Sequence, residues 1–220
     1  MVKENFSMQV EVVGSADSKE TYEVRRQWQQ GLGKAIVIEI YPTISVSNPM
    51  VLDISTLHLL NHSRELELGE LRIVNLYPTV FASKPTVSRL TQSVENLEYI
   101  KDILTAPDIA EWDIIIAWGS SLSTHDTTNH IKRMVLNLIK ECGLINQTKH
   151  IVTQYLDTEK QLGTHPLYLG LRHGSEKWEL DSYPVLSILG EVPEQEKDKK
   201  AAIGKKKAKK SNKEIDSEDL

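Results

Sequence analysis

The sequence predicts an α/β protein, a three-layer sandwich with helices on both faces of a mainly parallel central sheet of at least four strands. Four apolar, strand-like runs alternate along the chain with three amphipathic segments, the order expected of βαβ units. The chain has 220 residues, 40% of them hydrophobic and 26% charged, which is enough for one sizeable core. We therefore expect a single domain over residues 1–190, with its core at about 34–180.

The first predicted element is an N-terminal β-hairpin at about residues 8–28. Residues 8–13 and 21–28 alternate between apolar and polar side chains on either side of the polar turn GSADSKE. This period of two is typical of strands with one buried face. We expect the pair to form an edge of the sheet or a lid.

The four core strands are predicted at residues 35–40, 71–76, 113–118 and 150–156. The run DIIIAW is apolar throughout, as expected of a strand that is covered on both faces. The order of the strands in the sheet cannot be derived from these runs.

Three helices are predicted between these strands. The first begins at Asn48 and Pro49, a cap followed by a first-turn proline, and continues to Gly69. The second is capped by Ser93 and stops before Pro107. The third carries its apolar residues in one row and ends at a glycine; the row is Ile131, Met134, Val135, Leu138 and Cys142, and the glycine is Gly143.

The C-terminal tail, residues 191–220, is predicted to be disordered. It contains only four large apolar residues, too few to offset the entropy lost on ordering. Its basic block is typical of a solvated charge run, or alternatively of a weak contact with nucleic acid or an acidic partner. The lysines of this block are Lys205, Lys206, Lys207, Lys209 and Lys210.

The remaining charge argues against a broad nucleic-acid-binding face. Residues 1–190 hold 17 basic and 23 acidic side chains, so the folded part is mildly acidic. Nucleic-acid-binding surfaces normally need a basic patch that releases counterions. A pocket for one base or nucleotide remains compatible with this charge.

The protein is expected in the cytoplasm, with no membrane partner. Its one cysteine, Cys142, cannot form an internal disulfide and fits a reducing compartment. No apolar run approaches the ~20 residues that span a bilayer, and the N-terminus lacks the apolar core of a secretory signal. Nothing in the chain indicates an oligomeric state.

Polar residues follow every predicted core strand, at the edge of the sheet where α/β proteins bind ligands. We therefore predict a ligand site at the carboxyl ends of the strands. Its candidate residues are Tyr41, Pro42 and Thr43 after the first strand, Asn75 and Tyr77 at the second, Trp118, Gly119 and Ser120 at the third, and His165 and Arg172 beyond the fourth.

The tripeptide Tyr-Pro-Thr ends two of the strands, at residues 41–43 and 77–79. Proline lacks an N–H and holds the preceding residue extended, so a strand that reaches Tyr-Pro must leave the sheet. The two copies are interpreted as shared strand terminators. Alternatively, Thr43 and Thr79 present hydroxyl and N–H groups to a ligand.

Two weaker motifs allow other chemistry. HLLNH places His58 and His62 one helical turn apart, but it lacks the central glutamate of a metalloprotease helix, and we expect a structural role and no metal or other cofactor. GSSLS at residues 119–123, with Asp157 and His165 after it, has the chain order of a hydrolase triad. The second glycine of that motif is replaced by Ser123, which disfavours a serine hydrolase.

The motifs together resemble the bacterial domain-of-unknown-function family DUF1643. The segments that carry the resemblance are YEVRRQW, IEIYPT, IVNLYPT, IIIAWG and GTHPLYLGLR, within residues 21–178. The chain departs from the family at Tyr41, Pro42 and Thr43, where the family pattern has Asn-Pro-Ser. Asn75 matches the family pattern.

The motif order of this family is similar to that of the uracil-DNA glycosylase superfamily. The resemblance implies that Thr43 lies near the scissile bond, that Asn75 meets the base edge and that His165 stabilises the oxygen of the departing base. Trp118 or Tyr77 would stack on the base.

Three functions therefore stay open. The first is binding of a nucleotide, nucleobase or related small anionic ligand without proven activity. The second is a base-excising N-glycosidic hydrolase that acts on nucleic acid or nucleotides. The third is a non-enzymatic accessory protein that works through its lysine-rich tail.

Overall fold

A computed structural model describes residues 1–158 and 160–191 of the chain. The predicted disordered tail lies outside these residues from position 192 onward, and so does its basic block. The chain divides into two compact units, Met1–Tyr183 and a second unit that starts at Pro184. The second unit includes the short helix Val185–Leu189.

The first unit contains seven strands and four helices among its described residues. The strands are β1 (Gln9–Gly14), β2 (Thr21–Gln27), β3 (Gly33–Glu39), β4 (Leu68–Asn75), β5 (Trp112–Ile116), β6 (Thr148–Val152) and β7 (Glu179–Ser182). The helices are α1 (Ile54–Asn61), α2 (Val94–Leu104), α3 (Asp126–Glu141) and α4 (Pro166–His173). The helix of the second unit is α5.

All seven strands form one sheet in the order β1-β2-β4-β3-β5-β6-β7. The four predicted core strands, β3 to β6, pair in parallel with one another. The pairings β1–β2, β2–β4 and β6–β7 are antiparallel. The prediction of a mainly parallel sheet is therefore wrong, because three of the six pairings between described strands are antiparallel.

The N-terminal hairpin is confirmed as one edge of this sheet. β1 is the outermost strand, and β2 joins the hairpin to β4. The opposite edge is β7, which the sequence did not reveal because three of its four residues, Glu179, Asp181 and Ser182, are polar and exposed.

The first helix differs from its prediction at both ends. α1 begins at Ile54 rather than after Asn48, because Asp53 supplies the cap by accepting a hydrogen bond from the N–H of Thr56 at 2.7 Å. It ends at Asn61 rather than near Gly69, since β4 already starts at Leu68.

The other helices agree better with expectation. Ser93 caps α2 by accepting from the N–H of Asn96, and α3 ends before Gly143, which has a φ of +73°. α4 was not among the predicted helices. It forms because the side chain of His165 accepts a capping hydrogen bond from the N–H of Leu167 and Pro166 occupies the first helical position.

The helices cover both faces of the sheet. Val37 and Ile115 share a core cluster with Leu59 of α1 and Leu169 of α4. On the opposite face Arg72 binds Glu23, whose carboxylate also accepts a hydrogen bond from Tyr99 of α2. Because side chains alternate between faces along a strand, odd-numbered positions of β3 lie under α1 and α4.

The strand order places a topological switch point between β3 and β5. The chain leaves β3 for β4 on one side and returns to β5 on the other. Loops that follow such strands diverge and leave a crevice at the carboxyl edge, where ligands bind in α/β sheets. None of the helices in residues 1–158 and 160–191 has the length and apolarity that crossing a bilayer requires.

Candidate functional site

Four polar side chains meet at the carboxyl end of β3. Glu39 is the last residue of that strand, Thr43 follows it, Asp53 caps α1 and His165 caps α4. Nε2 of His165 lies 3.9 Å from Oε2 of Glu39. Oγ1 of Thr43 donates a hydrogen bond to Oδ2 of Asp53. The structure therefore brings two predicted residues, Thr43 and His165, beside two carboxyl groups that the sequence analysis did not single out.

His165 has a defined tautomer in this arrangement. The N–H of Leu167 donates to Nδ1 of His165 at 3.2 Å, so Nδ1 is an acceptor and the ring proton is on Nε2. Burial lowers the pKa of His165 to about 4, although the charge of Asp53 acts in the opposite direction. At neutral pH the ring is uncharged and its Nε2–H group points toward Glu39.

Glu39 is held in its protonated form at neutral pH. Its side chain is buried, and burial followed by the charge of Asp53 raises its pKa to about 8. Oε1 of Glu39 is closed off from solvent and has no hydrogen-bond partner in the described part of the chain. The distance to His165 would suit an ion pair, but both pKa shifts make this a contact between neutral groups.

Asp53 is positioned by contacts on both sides of it. Its Oδ1 accepts the capping hydrogen bond from Thr56 and its Oδ2 accepts from Thr43. Before it in the chain, Nη2 of the buried Arg26 donates to the carbonyls of Pro49 and Val51 at 3.1 and 2.8 Å. An arginine of β2 thus holds the segment that carries the carboxylate to the site.

Asn75 lies beside Glu39 in the sheet. The two residues are partners in the parallel register of β3 and β4, so their side chains emerge on the same face. Oδ1 of Asn75 is buried and unpaired within residues 1–158 and 160–191, as is Oε1 of Glu39. Two adjacent strand ends therefore each hold a buried polar oxygen that no described residue binds.

The loop after β5 packs directly on His165. Gly119 has a φ of +60°, and its N–H donates to the carbonyl of Gly163 at 2.7 Å. A Cβ added to Gly119 would lie 3.4 Å from the backbone nitrogen of His165. Ser120, the next predicted site residue, is exposed.

Lys132 of α3 holds the same loop from the other face. Its Nζ donates to the carbonyls of Gly119 and Ser121 at 3.4 and 3.1 Å, and lies 5.7 Å from the ring centroid of Trp118. Burial lowers the pKa of Lys132 to about 8. Lys132 is thus a residue of the site region that the sequence analysis did not identify.

The predicted aromatic residues are mostly enclosed. Tyr77 is fully buried, and its hydroxyl is hydrogen-bonded to Oγ1 of Thr128 at 2.8 Å. Trp118 is 3% exposed. Tyr41 is half-buried with its ring edge-on to Phe81, and Pro42 before the loop is buried. Neither Tyr77 nor Trp118 presents an open ring face for stacking in this structure.

Arg172 lies away from the other candidate residues. It is near the end of α4, whereas His165 precedes the start, and seven helical residues span about 10 Å. Arg172 lines a cavity of about 610 Å³ at the C-terminal ends of α1 and α4, together with His58, His62 and Glu65. The structure does not bring Arg172 to the carboxyl-edge site.

The two histidines of HLLNH are occupied by structural contacts. The ring of His62 stacks on Trp178 at 4.0 Å, and its Nδ1 is hydrogen-bonded to Glu65 at 2.9 Å. The ring of His58 packs on Gly170 of α4. No group of three or more metal-binding side chains occurs in the described residues.

The hydrolase-like loop forms no triad in the described chain. Nε2 of His165 faces Glu39, and none of the hydrogen bonds of His165 involves a serine of residues 119–123.

The two missed carboxyl groups had weak signals in the sequence. Glu39 is a charged residue at the end of the apolar run AIVIE, where burial shifts a pKa strongly. Asp53 precedes the helical segment ISTLHLL by one residue, the position of an N-cap. Neither signal indicates that the two residues meet.

One protein-family model, described as "Protein of unknown function (DUF1643)", matches residues 22–167. This match confirms the family that the sequence motifs indicated. Comparisons with curated proteins and with solved structures found no match.

Proposed function

Because the chain belongs to the DUF1643 family, whose description names no activity, we propose a function from the geometry of the candidate site. We propose that the protein binds a nucleobase, free or as part of a nucleotide or related small molecule, at the switch point between β3 and β5. One observation carries the proposal. Glu39 and Asn75 are register partners on one face, and each has a buried oxygen without a hydrogen-bond partner in the described chain. An unpaired buried polar group costs about 1–3 kcal/mol of stability. Proteins keep such a group where a ligand or a water molecule forms a hydrogen bond with it.

The chemistry of the site suits the edge of a base. A protonated Glu39 can donate and accept, Asn75 offers an amide, and Nε2–H of His165 donates. These are uncharged groups with fixed directions, and a nucleobase edge is an uncharged row of donors and acceptors. Small-molecule sites generally combine a few such convergent polar groups with apolar walls.

Thermal-shift measurements on the full chain with nucleobases, nucleosides and nucleotides test this proposal. A ligand that binds the native state raises the melting temperature by mass action. Asn75→Leu keeps the branched shape and the number of heavy atoms and removes the amide, so its ligand-free stability should change little while the ligand-induced shift disappears. Asn48→Leu, at an exposed loop position, is the matched control. An Asn75→Leu protein that keeps the full shift would contradict the proposal.

A base-excising hydrolase is the second candidate, and Asp53 favours it. A glycosylase needs a carboxylate or amide near the scissile bond, and no Asp or Asn closely follows Pro42 in the sequence. Folding supplies Asp53, which accepts a hydrogen bond from Thr43. The resemblance to the uracil-DNA glycosylase superfamily implies roles for Thr43, Asn75 and His165 and none for Asp53, whose role is proposed from its contact with Thr43.

In this proposal Asp53 acts as the base that takes a proton from the attacking water. His165 donates through Nε2–H to the oxygen of the departing base, which carries the developing negative charge. A neutral imidazole is suited to this role, because its proton strengthens the contact as charge develops on the base. Glu39 and Asn75 orient the base through its edge.

Excision assays on free nucleosides and on oligonucleotides that contain uracil or hypoxanthine test the second candidate. Asp53→Asn retains a good helix cap and should lower the rate by about 10²–10⁴-fold. His165→Gln should lower it by about 10²–10³-fold. Asp126→Asn, in the exposed first turn of α3, should have no effect. This activity would be excluded if no substrate released a free base. It would also be excluded if Asp53→Asn and His165→Gln both excised the base at the rate of the natural protein.

A further inference from the structure

The two loops that flank the switch point contain no Lys or Arg. Neither residues 40–53 after β3 nor residues 117–125 after β5 include Lys or Arg, and Asp53 is their only Asp or Glu. The loop after β4, residues 76–93, contributes Lys84 and Arg89 from the far side of β3. The surroundings of the crevice are therefore neutral to acidic.

Three cations on the elements around this edge are engaged in other contacts. Lys160, after β6, pairs with Asp157 at 3.0 Å. The guanidinium of Arg89 lies 5.0 Å from the ring centroid of Phe81. Lys132 donates to loop carbonyls. A phosphate in the crevice would meet the charge of Asp53 without the Arg or Lys that normally binds it.

The chain around Asp53 is apolar and exposed. Met50, Val51 and Leu52 precede it, and Ile54 follows it as the first residue of α1. Met50 is 72% and Ile54 55% exposed. A row of exposed apolar side chains beside a polar cluster is typical of a binding site for a flat, weakly hydrated molecule.

We infer that the ligand of this site is an uncharged free nucleoside or nucleobase, rather than a nucleotide or a base within a nucleic acid. The inference rests on the proposed function and narrows its substrate class. A polymer would place several phosphates against loops that hold no Lys or Arg, whereas binding of nucleic acids depends on such contacts. A nucleoside brings the edge of its base to Glu39 and Asn75 and the flat face of the base to the apolar stretch, and it adds no charge to the site.

The test compares the four common nucleosides with their 5′-monophosphates and with single-stranded dodecamers of the same base. Dissociation constants of the full chain and of His165→Gln are measured by calorimetry at low and high salt. Binding that persists in His165→Gln is assigned to other surfaces, including the lysine-rich tail. We expect at least one nucleoside to bind about tenfold or more tightly than its monophosphate, a difference of about 1.4 kcal/mol, and to lose its binding in His165→Gln.

A charge-addition variant sharpens the comparison. Thr124→Lys places a cation at an exposed position of the loop after β5 that is not among the candidate site residues. It should tighten the binding of the monophosphate severalfold and leave the dissociation constant of the nucleoside unchanged. A change in the nucleoside's dissociation constant would show that the substitution distorts the loop.

The outcomes are distinguishable. A monophosphate or dodecamer that binds as tightly as the nucleoside, with the same loss in His165→Gln, would overturn the inference and leave the proposed function standing. No His165-dependent binding of any probe would overturn both.

Discussion

Nε2 of His165 lies 3.9 Å from Oε2 of Glu39, and the charge of Asp53 acts on both groups. Burial alone disfavours the charged form of each, so it raises the pKa of the carboxyl and lowers that of the imidazole. The result at neutral pH is a protonated carboxyl, a neutral ring and a neighbouring carboxylate. Carboxyl groups with such different environments are a common feature of acid–base sites.

Glu39→Gln should remove a loss of stability that the natural protein shows as the pH rises from 4.5 to about 8. The folded-state pKa of Glu39, about 8, lies above the ordinary value of 4.5. The folded chain therefore keeps a proton that the unfolded chain releases, and the stabilisation present below pH 4.5 is lost as pH rises through 8. Each pH unit inside this window changes the unfolding free energy by up to about 1.4 kcal/mol.

Urea unfolding at pH 6.5, 7.25 and 8 measures this effect. The unfolding free energy of the natural protein should fall across the series, whereas that of Glu39→Gln should stay nearly constant. Glu98→Gln, on the exposed side of α2, should follow the natural protein. Parallel curves for the natural protein and Glu39→Gln would contradict a protonated Glu39.

His165 should titrate far below an ordinary histidine, with a midpoint near pH 4. Asp53→Asn should lower this pKa further, because the charge of Asp53 is the contribution that opposes burial. Proton NMR of the ring resonances measures both values, and the His165→Gln spectrum identifies the signal. A midpoint that stays in place in Asp53→Asn would mean that the two groups do not interact.

The same depressed pKa predicts a stability change in acid. Between pH 6.5 and about 4 the unfolded chain binds a proton at His165 that the folded chain does not. The contribution of His165 to the unfolding free energy is therefore present above pH 6.5 and is lost as pH falls through 4. The unfolding free energy of His165→Gln, measured by urea titration at each pH, should therefore fall less between pH 6.5 and 4 than that of the natural protein.

Gly170→Ala should destabilise the packing of α1 on α4. A Cβ at this position would overlap ring atoms of His58, so the ring or one of the two helices must move. We expect a loss of about 1–3 kcal/mol, as for other overpacked positions. In a double-mutant cycle, His58→Ala should recover most of the loss, because it removes the ring that the methyl group meets. Additive losses would show that the strain lies elsewhere.

Arg26→Met should loosen the segment that carries Asp53. Two loop carbonyls, those of Pro49 and Val51, lose their donor, at a cost of about 1–3 kcal/mol. The N–H of Thr56 donates a hydrogen bond to Asp53, so faster hydrogen exchange at this N–H would show that the segment has become mobile. Arg25→Met, next to it on β2 and paired with Glu70, should leave this exchange rate unchanged.

Much of the fold follows from local sequence patterns. The apolar runs predicted the four parallel strands, alternation predicted the N-terminal hairpin, and Ser93 marked the start of α2. Asn48 and Pro49 also form a good local start signal, yet no helix starts there. The reason lies outside this local pattern. Arg26, on β2, donates to the carbonyls of Pro49 and Val51 and so holds this segment as an irregular loop.

The family and the position of a site at the carboxyl edge were also predicted from the sequence, and the family is confirmed. The residues of the candidate site could be predicted only in part from the sequence. Thr43, Asn75 and His165 were named from motifs, whereas Glu39 and Asp53 occur in no motif and Arg172 proved to lie at the other end of α4.

The sequence by itself determined where β3 to β6, the N-terminal hairpin and the cap of α2 fall, because each depends on residues a few positions apart. Only the tertiary structure decided that β3 lies between β4 and β5, and that the caps of α1 and α4 meet over the end of β3. The pKa values of Glu39 and His165 follow from that meeting, since burial and the charge of Asp53 act across space rather than along the chain.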